Sequence, residues 1–202
     1  MTREFWDQRF GGEDYVYGTA PNAFLRVQAE RLAPGARVLL PGDGEGRNGV
    51  WLAERGMEVL SVDASPVGLG KAQRLAAARG VRIATECADL TLWRWPEAAF
   101  DAVAAMFLHL PPDARATVHR RIVAALRPGG TVILEAFRPA QLGYASGGPK
   151  DVAMLYTPEQ LTADFAGLDV RLCEEALVDL DEGTFHAGVA ATLRFVGVKP
   201  EA

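Results

Sequence analysis

Cysteine, excess positive charge and long apolar stretches are scarce in this 202-residue sequence. Its two cysteines, Cys87 and Cys173, lie far apart and form no CxxC pair, which argues against a disulfide framework or a zinc site. The formal net charge of −5 argues against a nucleic-acid binder, which would usually present a basic face. No stretch reaches the roughly 18 apolar residues of a membrane span, and the first residues show no signal-peptide pattern. We therefore expect a cytoplasmic protein, monomeric or homodimeric, with no metal, nucleic-acid or membrane partner.

Glycine, in contrast, is concentrated in one short stretch, "PGDGEGRNG", where four glycines fall between Gly42 and Gly49. An apolar run ends just before it, and a helical pattern begins just after it. Glycine in such a place lets the backbone approach either other backbone or a ligand. Several glycines after a buried strand favour a ligand site, although a tight turn with positive φ is the alternative interpretation.

The region around this loop alternates between apolar strand-like runs and helical patterns. Such alternation predicts an α/β fold with a doubly wound, mostly parallel seven-stranded sheet and an antiparallel C-terminal hairpin strand. Predicted strands cover residues 38–40, 57–62, 81–86, 100–107, 131–137, 168–177 and 190–198; predicted helices cover 48–55 and 67–79, with others beginning near Pro112 and Thr157. Residues 139–149 form a loop long enough to suggest a functional role.

The glycine spacing fits two different cofactors. Gly44-x-Gly46-x-x-Gly49 matches a dinucleotide fingerprint, and Asp63 lies about 20 residues further on, where a ribose-binding carboxylate belongs. Gly42-x-Gly44-x-Gly46 equally matches an S-adenosylmethionine loop, again with a carboxylate ending the second strand. Asp89 at the end of the third strand favours S-adenosylmethionine, because a carboxylate there can accept a hydrogen bond from the adenine amine. A loop-capping role for Asp89 is the alternative.

With these motifs in place, residues 36–138 resemble the class I S-adenosylmethionine-dependent methyltransferases. The motifs are "VLLPGDGEGR", "VDASP", "CADL", "FDAVAAMFLHLPP" and "LRPGGTVIL", in that family's order. The front segment "FWDQRFGGEDYVYGTAPNAFL" and the rear "SGGPK", "MLYTPEQL" and "EGTFHAG" resemble a narrower group, the small tellurite-resistance and thiopurine-type enzymes. One departure is Leu40, which stands where the family usually carries an acidic residue.

The resemblance implies one methyltransferase domain over residues 1–202: an N-terminal lid (1–34), a cofactor-binding core (35–138) and an acceptor-side loop, helix and hairpin (139–202). It implies S-adenosylmethionine as cofactor and in-line methyl transfer to a small molecule. The predicted cofactor-binding residues are those on the strand ends and the glycine loop: Gly42, Asp43, Gly44, Gly46, Asn48, Asp63, Ala64, Ser65, Ala88, Asp89, Leu90 and Phe107.

The catalytic and acceptor-side residues are predicted from their position and chemistry. His109 follows the fourth strand and is a candidate general base, with a local structural role as the alternative. Tyr17 is the second catalytic candidate, while Trp6, Arg138 and His186 are candidates for the acceptor pocket. Two other functions stay open at this point: a noncatalytic S-adenosylmethionine-binding protein and an NAD(P)-dependent oxidoreductase.

Overall fold

The computed structural model describes residues 2–201, and its centre is a seven-stranded sheet in the order β3-β2-β1-β4-β5-β7-β6. The strands are β1 (Arg37–Pro41), β2 (Glu58–Asp63), β3 (Ala84–Cys87), β4 (Phe100–Met106), β5 (Leu126–Phe137), β6 (Asp169–Asp181) and β7 (Ala187–Val198). Strands β1 to β5 pair in parallel, whereas β7 pairs antiparallel with both β5 and β6. The predicted fold, including its antiparallel C-terminal hairpin, is confirmed.

Six α-helices accompany the sheet within the described residues: α1 (Arg3–Phe10), α2 (Ala23–Gln28), α3 (Arg47–Glu54), α4 (Pro66–Ala78), α5 (Pro112–Ala125) and α6 (Pro158–Asp164). Side-chain caps start several of them. Ser65 accepts from the Gly68 N–H ahead of Pro66, and Thr157 forms a capping box with Gln160. Over residues 2–201, no helix combines the length and apolar character needed to cross a membrane.

Several element boundaries differ from the prediction. Strand β3 begins at Ala84, three residues late, and β5 begins at Leu126, with a register irregularity against β4. Strands β6 and β7 are longer than predicted, leaving only residues 182–186 between them. The ends of these strands could not be predicted from sequence, because most of β6 is exposed and has no continuous apolar run.

The core lies on both faces of the central strands. One cluster, on the side of α5 and α6, includes Leu39, Val103 and Phe165, and the other, on the side of α2 and α3, includes Leu40 and Leu52. Strand β4 is buried along almost its whole length, as expected for a strand covered on both faces. The carboxyl ends of β1, β2, β3 and β4 therefore meet at one sheet edge, where the connecting loops leave a cavity.

Candidate active site

A cavity of about 870 Å³ lies at the carboxyl edge of the sheet. It brings together most of the predicted site residues: Trp6, Tyr17, Gly42, Asp43, Gly44, Asn48, Asp63, Ala64, Ala88, Asp89, Leu90, Phe107, His109 and His186. Three predicted residues do not line it, namely Gly46, Ser65 and Arg138. The long loop contributes Gly148 and Pro149, consistent with the functional role suggested by its length.

The loop glycines serve two purposes: close packing of the chain and access of main chain to the cavity. Gly42, Gly44 and Gly46 have φ values of 73°, 54° and 83°, a region that L side chains rarely adopt. A Cβ on Gly46 would lie 2.4 Å from Cβ of Ala72, so this glycine serves the close approach of α3 to α4. A Cβ on Gly44 would lie 3.0 Å from the Phe10 ring. Gly42 and Gly44 line the cavity as well, whereas Gly46 belongs to the fold.

Asp63 is held in place by the main chain at the end of β2. Its Oδ2 accepts from the Gly44 N–H at 2.9 Å and its Oδ1 from the Ser65 N–H at 2.8 Å. Burial raises the pKa of Asp63 above its ordinary value, although these two N–H bonds oppose the shift. The Ser65 hydroxyl donates to Asp7 Oδ1 at 2.5 Å, which ties α1 to the start of α4 instead of contacting the cavity.

Asp89 lies at the same edge, after β3, but in a more open position. It is exposed, and its Oδ1 accepts from both the N–H and the hydroxyl of Thr91, at 2.8 and 2.7 Å. The local capping weighed as an alternative is therefore present, and the residue lines the cavity as well. The two roles are compatible, because a carboxylate has two oxygens and several lone pairs.

Asp43 is a buried acid inside the glycine loop. Its Oδ2 accepts from the Ser61 hydroxyl at 2.6 Å, and its buried Oδ1 has no hydrogen-bond partner among the described residues. Burial raises the pKa of Asp43 to about 7 against the opposing Ser61 bond, and the charge of Asp63 adds to the rise. The cavity is therefore lined by a buried acid whose pKa lies near neutral pH.

A buried ion pair that sequence reasoning missed fixes the N-terminal segment beside the loop. Lys71 Nζ lies 2.6 Å from Glu45 Oε1 and also donates to the carbonyl oxygens of Phe10 and Asp14. Glu45 Oε2 accepts from the N–H groups of Val16, at 2.9 Å, and Tyr17. A signal was present in the sequence: Lys71 shares one face of α4 with Gly68, Ala72 and Leu75, which are buried.

The far end of the cavity is aromatic. The His186 ring centroid lies 4.6 Å from those of Tyr17 and Phe107 and 5.3 Å from that of Phe137. Phe107 has a φ of 52°, an unusual value for an aromatic residue, and its N–H donates to the Glu135 carbonyl at 2.7 Å. Strain of this kind is characteristic of functional sites. Neither Phe137 nor this backbone strain was predicted from sequence.

His109 does not fit the predicted role of general base. Its Nδ1 lies 2.8 Å from the Met154 carbonyl, and its Nε2 accepts from the Phe137 N–H at 3.1 Å. Burial lowers the pKa of His109 to about 4, against the Met154 hydrogen bond. Because both ring nitrogens are bonded to main chain, the histidine ties the chain after β4 to the end of β5. The structural alternative therefore accounts for it, through partners distant in sequence.

Arg138 also lies away from the predicted pocket. Its guanidinium pairs with Glu175 on β6 at 3.2 Å, because the end of β5 turns the side chain towards the outer hairpin. The structure thus offers Arg138 no contact with a ligand in this cavity.

A second buried network, which was also not predicted from sequence, joins the turn between β6 and β7 to α3. Arg47 NH2 lies 2.7 Å from Glu182 Oε2, and the Asn22 amide donates to Glu182 and to Glu135. Although burial opposes ionisation, the hydrogen bond with His186 and the charge of Arg47 hold the pKa of Glu182 at about 2. Glu182 is therefore ionised at neutral pH, beside the aromatic end of the cavity.

Comparison with known proteins agrees with this geometry. Residues 38–130 match the family described as methyltransferase domain. TehB from Haemophilus influenzae superposes with a TM-score of 0.73 at 15% identity, covering 98% of this chain and 66% of that one. Residues 38–130 therefore match a methyltransferase domain, and the fold of the chain is that of the class I methyltransferases.

Two further comparisons place the domain among its relatives. A 2-heptyl-1-hydroxyquinolin-4(1H)-one methyltransferase of Mycobacteroides abscessus is 30% identical over 119 residues, covering 57% of this chain and 52% of the relative. A structure described as conversion of a disulfide bond into a thioacetal group during echinomycin biosynthesis has a TM-score of 0.77 at 22% identity, covering 98% and 92% of the two chains. At these identities the solved structures show the fold alone, and the chain spans about half the length of the first curated relatives.

The cofactor that goes with this family match and this fold is S-adenosylmethionine, and the donor set at the sheet edge fits it. The edge presents one carboxylate at the end of β2 and one just after β3, groups that accept hydrogen bonds from hydroxyls and amines, together with a loop whose glycines leave main chain exposed to the cavity. With Leu40 in β1 in place of the family's acid, no side-chain carboxylate comes from that strand position.

Proposed function

We propose that this chain transfers a methyl group from S-adenosylmethionine to a small-molecule acceptor by in-line displacement. The observation that carries the proposal is a single cavity with two chemically different ends, one formed by carboxylates and glycine main chain, the other by aromatic rings. Its volume of about 870 Å³ lies in the range of small-molecule sites. Such a cavity has room for a cofactor and a compact acceptor in line.

At the polar end, we assign Asp63 to the two ribose hydroxyls and Asp89 to the adenine amine. Asp63 is oriented by the Gly44 and Ser65 N–H groups, and each of its oxygens retains a further lone pair. Gly42, Gly44 and Asn48 border the space for the amino-acid portion, whose ammonium has main-chain carbonyls instead of an acid at Leu40. Ala64, Ala88 and Leu90 provide apolar walls for the adenine.

At the aromatic end, we assign Tyr17, Phe107 and Trp6 to positioning and to the exclusion of water. When bound, the cofactor supplies a methyl group on a positively charged sulfur. Aromatic faces attract positive charge, and a dry, aligned site is most of what in-line displacement needs. Trp6 stacks on Phe10 with centroids 5.4 Å apart, so α1 covers the cavity with a rigid aromatic pair.

The proposed acceptor is compact and largely apolar. The far wall consists of Phe107, Leu108, Leu110, Phe137 and Pro149. The relative from Mycobacteroides abscessus is named as a methyltransferase of 2-heptyl-1-hydroxyquinolin-4(1H)-one, a compound with a largely apolar fused ring and heptyl chain.

The main alternative is a noncatalytic S-adenosylmethionine-binding protein. It is favoured by Leu40 and by the engagement of both His109 nitrogens with main chain. An assay for S-adenosylhomocysteine against a panel of hydroxyarenes, arylamines and thiols separates the two. Product formation supports the enzyme, whereas tight binding of S-adenosylhomocysteine with no product from any acceptor supports the binding protein. Calorimetry with NAD in place of S-adenosylhomocysteine tests the oxidoreductase alternative, which predicts NAD binding.

We propose the cytoplasm as the compartment. The two cysteines are free thiols, Cys87 exposed and Cys173 partly buried, a pattern typical of reducing compartments. A state of monomer or homodimer remains the prediction, and light scattering of the purified chain tests it.

A further inference from the structure

The chain contains three histidines, and they differ in what their ring nitrogens contact. Both nitrogens of His109 are bonded to main chain, as described above. His119 Nδ1 lies 2.8 Å from Asp164 in a buried site outside the cavity. His186 lines the cavity, and its Nδ1 faces Glu182 Oε2 at 3.4 Å. Within residues 2–201, no hydrogen bond occupies its Nε2.

The pairing with Glu182 determines the tautomer of His186. A carboxylate accepts hydrogen bonds and donates none, so the nitrogen facing it carries the proton. Glu182 is held in its ionised form by Arg47 at 2.7 Å, and Asn22 donates to its other oxygen at 3.2 Å. The proton therefore sits on Nδ1, and the lone pair is on Nε2.

The surroundings of the ring place this lone pair at the acceptor end. The ring contacts Tyr17 and Phe107, which border the proposed position of the reacting methyl group. On its other side, a Cβ on Gly147 would lie 2.8 Å from Cδ2 and 3.4 Å from Nε2. Because residue 147 is glycine, no side chain from the long loop crowds this edge of the imidazole.

We propose that His186 is the proton acceptor of the methyl transfer, positioned by Glu182, and that the acceptor is an O–H or N–H compound. The inference rests on the proposed function. The X–H proton passes to Nε2, the electron pair of oxygen or nitrogen forms the new bond to the methyl carbon, and the carbon–sulfur pair remains on sulfur. The imidazolium is stabilised by Glu182 and later loses its proton to water.

The charges around His186 suit a base that is neutral at rest. Glu182 of the hairpin turn, Arg47 of α3 and Glu135 of β5 act on it by their charges. The neutral groups near it are Tyr17 of the N-terminal segment and His109 of the chain after β4. Burial lowers the pKa of His186 below its ordinary 6.5, although the hydrogen bond with Glu182 opposes the shift. The unprotonated form is therefore available at neutral pH.

The first test measures the tautomer directly, by ¹⁵N NMR of the imidazoles in the complex with S-adenosylhomocysteine. With three histidines, the His109→Gln and His186→Gln variants assign the signals. We expect His186 to be neutral at pH 7 with Nδ1–H and an unprotonated Nε2, and Glu182→Gln to weaken that preference. A neutral Nε2–H tautomer in the wild type would overturn the assignment.

The second test measures turnover of two probes, 1-naphthol and thiophenol. Thiophenol is mostly ionised at pH 8 and needs no base. For His186→Gln we expect kcat with 1-naphthol to fall at least 100-fold, with thiophenol turnover and S-adenosylhomocysteine affinity changed less than threefold. Wild-type kcat with the hydroxyl probe should be flat above about pH 6.5, whereas the variant's rate should rise with pH as the probe itself ionises.

The outcomes separate the two proposals. Wild-type turnover of thiophenol alone, or equal loss of both probes in His186→Gln, overturns the base and leaves methyl transfer standing. Binding of S-adenosylhomocysteine without turnover of either probe or of any other member of the hydroxyarene, arylamine and thiol panel contradicts both proposals. A selective loss with the hydroxyl probe, restored in part by imidazole added to His186→Gly, supports the base.

Discussion

The two ends of the cavity are built in different ways. The cofactor end is lined by residues from three short segments of the chain, 42–45 with 47–48, 63–64 and 88–90, and much of its chemistry is main chain. The acceptor end comes from single side chains far apart in sequence, among them Tyr17, Phe107, Phe137 and His186. Contiguous segments at strand ends can be recognised as motifs, whereas a wall of scattered side chains exists only after folding. We therefore expect the two ends to respond separately to substitution, unless the N-terminal segment that borders both is disturbed.

The largest expected effect is a loss of stability on removing the lysine of α4 that holds the N-terminal segment in place. Lys71→Met leaves the Glu45 carboxylate buried without its counter-charge, so the free energy of unfolding should fall by about 3–5 kcal/mol. Denaturant unfolding measures it, and Arg74→Met, at an exposed position of the same helix, should change it by less than about 0.5 kcal/mol. A loss below about 1 kcal/mol for Lys71→Met would mean that the ion pair does not hold the segment.

The next effect should be confined to the cofactor end. Asp63→Ala removes an oriented carboxylate assigned to two hydroxyls. Hydrogen bonds to charged groups contribute roughly 1.5–3 kcal/mol each, so S-adenosylhomocysteine affinity should fall by at least about 100-fold. Calorimetry measures this affinity. Asp63→Asn keeps the size of the side chain, and its affinity should lie between those of wild type and Asp63→Ala. Affinity within threefold of wild type would remove Asp63 from the site.

A smaller effect should be confined to the acceptor end. Phe137→Leu removes one aromatic face, so KM for an aromatic acceptor should rise about three- to tenfold while S-adenosylhomocysteine affinity stays unchanged. Phe195→Leu is the matched control, because this buried phenylalanine of β7 does not line the cavity. If both variants raise KM equally, the effect reflects general core loosening and the contrast between the ends is lost.

The last expected effect is a pH trend at the cofactor end, which concerns stability and not binding. The folded pKa of Asp43 is about 7, above the ordinary 3.8, so the wild type loses stability as pH rises from about 4 to about 7. Asp43→Asn lacks this titration, and its melting temperature relative to wild type should therefore increase from pH 5 to pH 8. Asp101→Asn is the control: the pKa of Asp101 is lowered, so its difference from wild type should stay constant over that interval. Parallel curves for Asp43→Asn and wild type would contradict the shift.

The sheet could be predicted largely because its central strands are continuous apolar runs. Strand β4 is buried at six of seven positions and has an unambiguous pattern. The outer hairpin could not be bounded, because β6 alternates exposed acids with half-buried residues. Likewise, Arg127-Pro128-Gly129-Gly130 has the composition of a turn, yet it lies within β5.

The site residues also differ in how far they could be predicted from sequence. Asp63 and Asp89 follow from strand ends, which sequence locates well. The main-chain partners of His109, Met154 and Phe137, could not be predicted because they lie far away in sequence. Glu182 and Arg47 carry no local motif, and their pairing depends on how the hairpin turn meets α3.

The contact of Gly46 with Ala72 has a consequence for protein engineering. Ala72 of α4 leaves no space for even one methyl group on residue 46. A loop transplanted from another methyltransferase with a side chain at this position would therefore collide with α4. Chimeras that exchange residues 42–49 alone should fold only when the donor also has glycine at position 46.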